Sequence, residues 1–278
     1  MPELPDLLYV MGILRPALIG RTVAAQRLTA PVVLRSLVKG DLTLLVGRTV
    51  DDIQRRAHFL VFRFGDLDLA VNPMLAGRFK LAEPTARMEA AACFVLTFVP
   101  GPDLRYLDDK KMGKAYLAPA GAWDGIPGME GGGIDVLSPE FTLEVFRERL
   151  RGRRDQVRAF VMDKRALDSL GNAYADEVLF EAGIHPKTWC RALRPEDSAR
   201  LHAAIVTVMR AAAEEVERRH EPIETKVRDF LQIRRKLVCP RCQAKVRKAG
   251  VRGMDSYFCP RCQPETRPGL VDWRKTGV

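Results

Sequence analysis

Four of the six cysteines stand in two pairs, Cys239-Pro-Arg-Cys242 and Cys259-Pro-Arg-Cys262, with sixteen residues between the pairs. Each Cys-x-x-Cys presents two thiolates from one tight turn, and two such turns complete a closed tetrahedral site for zinc. A four-thiolate shell leaves the metal no open position, so the single Zn2+ is expected to hold structure. Two disulfides or a redox-active pair are the competing readings. No βαβ pattern surrounds either pair and no secretory context is evident, which disfavours both. Cys93, in the apolar run Ala91-Ala-Cys-Phe-Val-Leu96, and Cys190, beside Trp189, are isolated and read as unligated thiols.

The charge points to the same end of the chain. Of the net +10, residues 233–278 carry +9, from 12 Lys or Arg against 3 Asp or Glu, leaving 33 against 32 for residues 1–232. A charged face often means only solubility. A short segment holding nearly all of the excess more often marks a surface for a polyanion such as nucleic acid.

These residues need elements to hold them. With 278 residues and 47% apolar content, the chain can bury two ordinary cores and a small appendage. Asp6 to Leu18 is apolar at helical spacing. From Val50 to Val99, runs such as Phe59-Leu-Val-Phe-Arg-Phe64 and Leu67-Asp-Leu-Ala-Val71 alternate with turn residues, which reads as antiparallel sheet. The first domain is therefore a helix plus a β-sandwich over 1–119. A glycine-rich stretch, 120–137, reads as a linker. The period then changes. Ser138-Pro139 offers an N-cap and first-turn proline for a helix to about Arg151, and helices follow over 154–163, 173–182 and 195–219. A helical domain thus covers 138–232, and the basic zinc segment covers 233–278. The fold class is α+β and multidomain. No apolar run approaches the roughly 18 residues of a membrane span. The opening Met1-Pro-Glu-Leu-Pro-Asp6 lacks the regions of a signal peptide, so a cytoplasmic location with no membrane partner is expected.

Asn172 falls where a helix begins, so its amide and the free N–H groups of the first turn can hold a phosphate; a plain N-cap asparagine is the alternative. Its surroundings, Gly171-Asn-Ala-Tyr-Ala-Asp-Glu-Val-Leu-Phe-Glu-Ala-Gly-Ile-His-Pro186, resemble the helix-two-turn-helix signature of the formamidopyrimidine-DNA glycosylase and endonuclease VIII family. The Met-Pro-Glu-Leu-Pro start, the Gln54-Arg-Arg-Ala57 strand and the four-cysteine finger extend the resemblance over nearly the whole chain. It implies base-excision repair: a DNA glycosylase with AP lyase activity, acting as a monomer on double-stranded damaged DNA at the bacterial nucleoid. Pro2, exposed once Met1 is removed, would attack the anomeric carbon of the damaged nucleotide, and Glu3 would carry protons.

Several positions depart from the family pattern, and they imply altered lesion specificity. Asp6 replaces the usual glutamate, and His58 follows Arg-Arg-Ala where a lysine is expected to grip phosphate and assist as an acid. The family's His-Leu-Gly-Met stretch reads Val71-Asn-Pro-Met74, leaving Met74 to fill the space of a flipped base. Asp108-Asp-Lys-Lys-Met-Gly113 places Lys111 opposite the estranged base and Met112 as a wedge. The finger arginine becomes Met254, with Arg252 as a substitute two residues away, and the segment from Phe230 to Cys239 is short. A lesion-binding protein of the same fold with little or no chemistry is the other reading of these departures.

Overall fold

The computed structural model describes residues 2–129, 131, 133–168 and 170–265. Its first helix, α1 (Leu4–Leu18), buries Leu4, Leu7, Val10, Leu14 and Leu18 along one stripe. Nine strands follow: β1 (Thr22–Leu28), β2 (Leu34–Ser36), β3 (Asp52–Arg56), β4 (Phe59–Phe64), β5 (Leu67–Asn72), β6 (Arg78–Ala82), β7 (Ala92–Val99), β8 (Asp103–Leu107) and β9 (Lys114–Pro119). They form two sheets, ordered β1-β7-β8-β6 and β2-β9-β5-β4-β3. Neighbours run antiparallel except β2 and β9. Side chains of both sheets, among them Phe62, Leu69, Phe79, Phe94 and Leu96, share one core with Leu7, Leu14 and Leu18 of the helix. The expected sandwich is therefore present.

The five-stranded sheet is apolar on its other face as well, and something must cover it. Phe59, Val61, Ala70, Tyr116 and Ala118 pack under Ile126 and Met129, with Trp123 at the edge. The Trp123 indole donates to Asp68 at 2.8 Å. The Arg56 guanidinium lies 4.5 Å from the Trp123 ring centre. So residues 120–129, expected as a free linker, are a cover that the first domain needs.

The second region opens with β10 (Ile134–Asp135), which pairs in parallel with β11 (Leu167–Asp168). Helix α2 (Leu143–Leu150) starts later than expected, because Thr142 rather than Ser138 caps it and accepts from Val145 N at 3.3 Å. Helices α3 (Val157–Val161), α4 (Asn172–Ala182) and α5 (Pro195–Arg219) follow, then a hairpin of β12 (Arg247–Val251) and β13 (Met254–Phe258). Contacts divide the chain into two units, one comprising Met1–Gly132 and Ala211–Arg228, the other Gly133–Arg210 and Asp229–Val278. The last turns of α5 and the strap after them thus return to the β-sandwich, and the finger shares a unit with the helices. The boundaries expected at 119, 137 and 232 do not mark this division.

Candidate functional site

In the sandwich unit, Pro2 and Glu3 are buried at the head of α1. Glu3 accepts from the N–H of Asp6, and its own N–H donates to Asp6 Oδ2 at 2.7 Å, a reciprocal cap that fixes the N-terminal turn. Asp6 is then gripped from the far end of the chain. Arg228 Nη1 donates to Asp6 Oδ1 at 2.8 Å, and Nη2 donates to Oδ2. The shorter carboxylate at position 6 is therefore the anchor of a fork-to-fork pair. A small cavity beside it is lined by Pro2, Asp6, Pro73, Gly77, Arg78 and Lys226.

Two loops meet close by. Between β5 and β6, Asn72 Oδ1 accepts from Met74 N at 3.0 Å and Gly77 N donates to Pro73 O at 2.8 Å. Met74 has φ of 50°, which turns the next side chain outward, so Leu75 stands 58% exposed while Met74 is half-buried. Between β8 and β9, the buried Asp108 carboxylate accepts from Lys110 N at 3.0 Å and Gly113 N at 2.6 Å. That clamp presents Lys111 and Met112 to solvent, Met112 being 43% exposed. The Tyr106 hydroxyl sits between the loops. A Cβ at Gly77 would lie 2.1 Å from it and one at Gly113 1.7 Å, so neither glycine has a substitute. Burial of this ring pushes its phenol well above the usual range, with Asp108 adding to the effect.

His58, expected among the phosphate ligands, is enclosed. Only 2% exposed, in the turn between β3 and β4, it cannot meet a phosphate unless that turn opens.

In the second unit, Asn172 is the first residue of α4, with Gly171 at the N-cap. Arg158 Nη2 donates to Asn172 Oδ1 at 2.9 Å, which fixes the amide orientation and turns its NH2 away. Arg158, fully buried, also pairs with Asp176 at 3.1 Å. Asp176 accepts further from Ser256 at 2.7 Å and from Arg234 at 2.5 Å. Glu177 accepts the N–H groups of Gln232, Ile233 and Arg234, at 2.7, 3.1 and 2.9 Å. Burial raises the Glu177 pKa, and these three backbone donors oppose the rise. Asn172 therefore begins its helix on a base of satisfied buried charge. Arg252, in the finger hairpin, is 62% exposed at its side chain and pairs with Asp155 at 2.6 Å. Met254 opens β13 at 38% exposure.

The sulfur atoms of Cys239, Cys242, Cys259 and Cys262 all lie within 4.8 Å of one another. Cys239 and Cys262 are 3.8 Å apart and Cys242 and Cys259 3.5 Å apart. Four thiolates about 2.3 Å from a tetrahedral zinc stand about 3.8 Å apart, so the set fits one structural zinc ion and no disulfide. Phe180 and Ile233 pack on Cys239 and Cys259. Arg241 lies over the Phe180 ring at 4.3 Å and donates to its carbonyl at 3.1 Å. Gln263 Nε2 donates to Ile184 O at 2.9 Å. The finger is thereby fastened to the end of α4.

Comparison with known proteins agrees with this layout. Residues 1–115 match the formamidopyrimidine-DNA glycosylase N-terminal domain, 133–221 the H2TH domain of that glycosylase, and 236–264 the zinc finger found in FPG and IleRS. A formamidopyrimidine-DNA glycosylase of Symbiobacterium thermophilum is 35% identical over 276 residues, 95% of this chain and 90% of its own. One from Brevibacillus brevis is 33% identical over 77% of this chain and 79% of its own. The Lactococcus lactis formamidopyrimidine-DNA glycosylase, solved non-covalently bound to AP-site DNA, superposes with a TM-score of 0.84 at 27% identity, over 95% of this chain and 100% of that one.

Proposed function

Because this chain belongs to the formamidopyrimidine-DNA glycosylase family, we propose that it is a base-excision repair DNA glycosylase and AP lyase whose nucleophile is the amine of Pro2. The substrate class is double-stranded DNA carrying a damaged base or an abasic site; the Lactococcus lactis protein was solved bound to DNA containing an AP site. The observation that carries the reading is the anchored N-terminal turn: Pro2 lines a cavity together with Asp6, and Arg228 holds that carboxylate in place.

Once Met1 is removed, the secondary amine of Pro2 has a lone pair and a pKa near neutrality. It attacks the anomeric carbon, the C–N bond to the base breaks with its electron pair leaving on the base, and the sugar opens to an iminium ion. Glu3 is the proton carrier beside it. Loss of a proton from the adjacent sugar carbon then expels the 3′ phosphate by β-elimination, and water releases Pro2. In this reading Leu75, Met74 and Met112 fill the vacated stack, Lys111 faces the estranged base, and Asn172 holds a phosphate through its free amide hydrogens and the first turn of α4. Arg252 must exchange Asp155 for DNA to take part. The mechanism needs no second copy of the chain. The short 230–239 segment supports a lesion choice different from that of relatives with a longer loop.

The enclosure of His58 and the methionine at position 254 favour a second reading, a lesion-binding protein of the same fold with little chemistry. Incubation with duplexes carrying 8-oxoguanine, oxidised pyrimidines or an abasic site separates the two. Strand cleavage on the 3′ side of the abasic site supports the enzyme, and tight binding with every strand intact supports the alternative.

A further inference from the structure

Two cations line the cavity at Pro2, Arg78 and Lys226, a third, Arg228, holds its Asp6, and they are not equivalent. Arg228 is committed to Asp6, with Nη1 to Oδ1 at 2.8 Å. Arg78 pairs with Asp109 at 3.2 Å. Lys226 has no carboxylate partner among the described residues. Although the residue is exposed, its ammonium donates to a neutral group, the Leu75 carbonyl, at 2.9 Å. An ammonium has three donors, so two remain for a ligand, with the full charge uncancelled. Position matters as much as charge: Lys226 and Pro2 line the same cavity, and Leu75 is the exposed tip of the loop above it. The sequence also loses a cation at position 58, where the resemblance calls for a lysine and the histidine present is enclosed.

We infer that Lys226 supplies the ammonium that grips a backbone phosphate of the nucleotide whose sugar faces Pro2. This rests on the reading of Pro2 as the reacting group. The environment suits an ammonium waiting for an anion. Burial lowers its pKa, Asp6 opposes this, Arg228 and Arg78 push the same way as burial, and Asp108 opposes. An arriving phosphate reverses the balance and holds the ammonium charged. The bond to Leu75 O also ties the phosphate grip to the loop that enters the stack.

The test uses the full zinc-loaded chain and a duplex containing a tetrahydrofuran abasic analogue, which binds without reacting. Each ion contact with phosphate contributes about 0.9 to the slope of log K against log salt. Lys226→Met should weaken binding by about tenfold near physiological salt and flatten that slope by about one unit. Lys226→Arg should keep the slope. A second series neutralises single linkages near the analogue as methylphosphonates: one linkage should weaken the wild type and have no further effect on Lys226→Met. Unfolding midpoints in urea check that both variants are folded. An unchanged slope in folded Lys226→Met, or equal losses from every neutral linkage in both proteins, overturns the inference while leaving the Pro2 reading standing. A wild type that does not distinguish the analogue duplex from intact DNA overturns both.

Discussion

Arg228→Met removes one half of the pair that fixes the N-terminal turn, and its effect can be worked from the geometry. Asp6 is 6% exposed, and without Arg228 its carboxylate keeps only the Glu3 N–H, at 2.7 Å, among the described residues. Breaking a buried ion pair from one side costs about 3–5 kcal/mol, because it leaves a carboxylate in a poor environment. Arg228 is 23% exposed at its side chain, so water can reach part of the gap and the lower end, about 3 kcal/mol, applies. The strap 222–228 adds only Ile223 at the margin of the sandwich core, so the turn should open locally before the fold unfolds. Displacement of a reacting atom by about 1 Å can cost about a hundredfold in rate. We therefore expect Arg228→Met to slow abasic-site cleavage by about 10- to 100-fold with a smaller loss of global stability. Asp6→Asn with Arg228→Met should recover part of the loss, because no charge is then stranded. The assay is a double-mutant cycle on single-turnover cleavage, with urea unfolding in parallel. If the two substitutions are additive within about 0.5 kcal/mol, the latch is not a unit and the reasoning fails.

Cys239→Ser should release zinc and lower the melting temperature, read by metal analysis and calorimetry; a zinc content of one per chain in the variant would contradict the four-thiolate site. Leu75→Ala and Met112→Ala should weaken binding to an abasic-analogue duplex about tenfold more than to intact duplex, since only the former has a void to fill; equal losses would mean that neither enters the stack. Glu89 is held at a pKa of about 2: burial raises it, but bonds from Lys80 at 2.7 Å and Arg105 at 3.0 Å outweigh burial. A depressed folded pKa stabilises above the unfolded value near 4.3 and is lost as pH falls towards about 2. Glu89→Gln should therefore destabilise at pH 7 by about 1–2 kcal/mol and flatten the acid limb of stability against pH, as followed by urea midpoints. An unchanged limb would remove Glu89 from the account.

What the sequence made legible was local. The two Cys-x-x-Cys turns carry their chemistry within four residues each, and α5 shows its period over Pro195–Arg219, so its limits were read correctly. The sandwich was visible in the alternation of β4 to β7. Hidden features depend on distant or backbone-level facts. Nothing near Asp6 announces Arg228, 222 residues away. The Asn72-Pro-Met74 stretch points to Met74, yet nothing in it announces the positive φ there or the greater exposure of Leu75 beside it. Residues 120–129 look like a linker by composition and become a cover because the face of β4 and β5 beneath them is apolar. His58 stands at the place of a lysine expected to grip phosphate, and it is enclosed. Arg158 gave no signal at all, since its role is to orient Asn172 from within the core.

The central claim is that the amine of Pro2 forms the covalent intermediate, and borohydride trapping with peptide mapping tests it most directly. Protein whose intact mass shows loss of Met1 is mixed with an abasic-site duplex and sodium borohydride, digested, and the modified peptide sequenced by mass spectrometry. The account predicts a reduced sugar adduct on Pro2, abolished in Pro2→Gly and strongly reduced when Met1 is retained. Absence of any adduct in processed, zinc-loaded protein, or an adduct that maps to a lysine such as Lys226 with Pro2 unmodified, would contradict it.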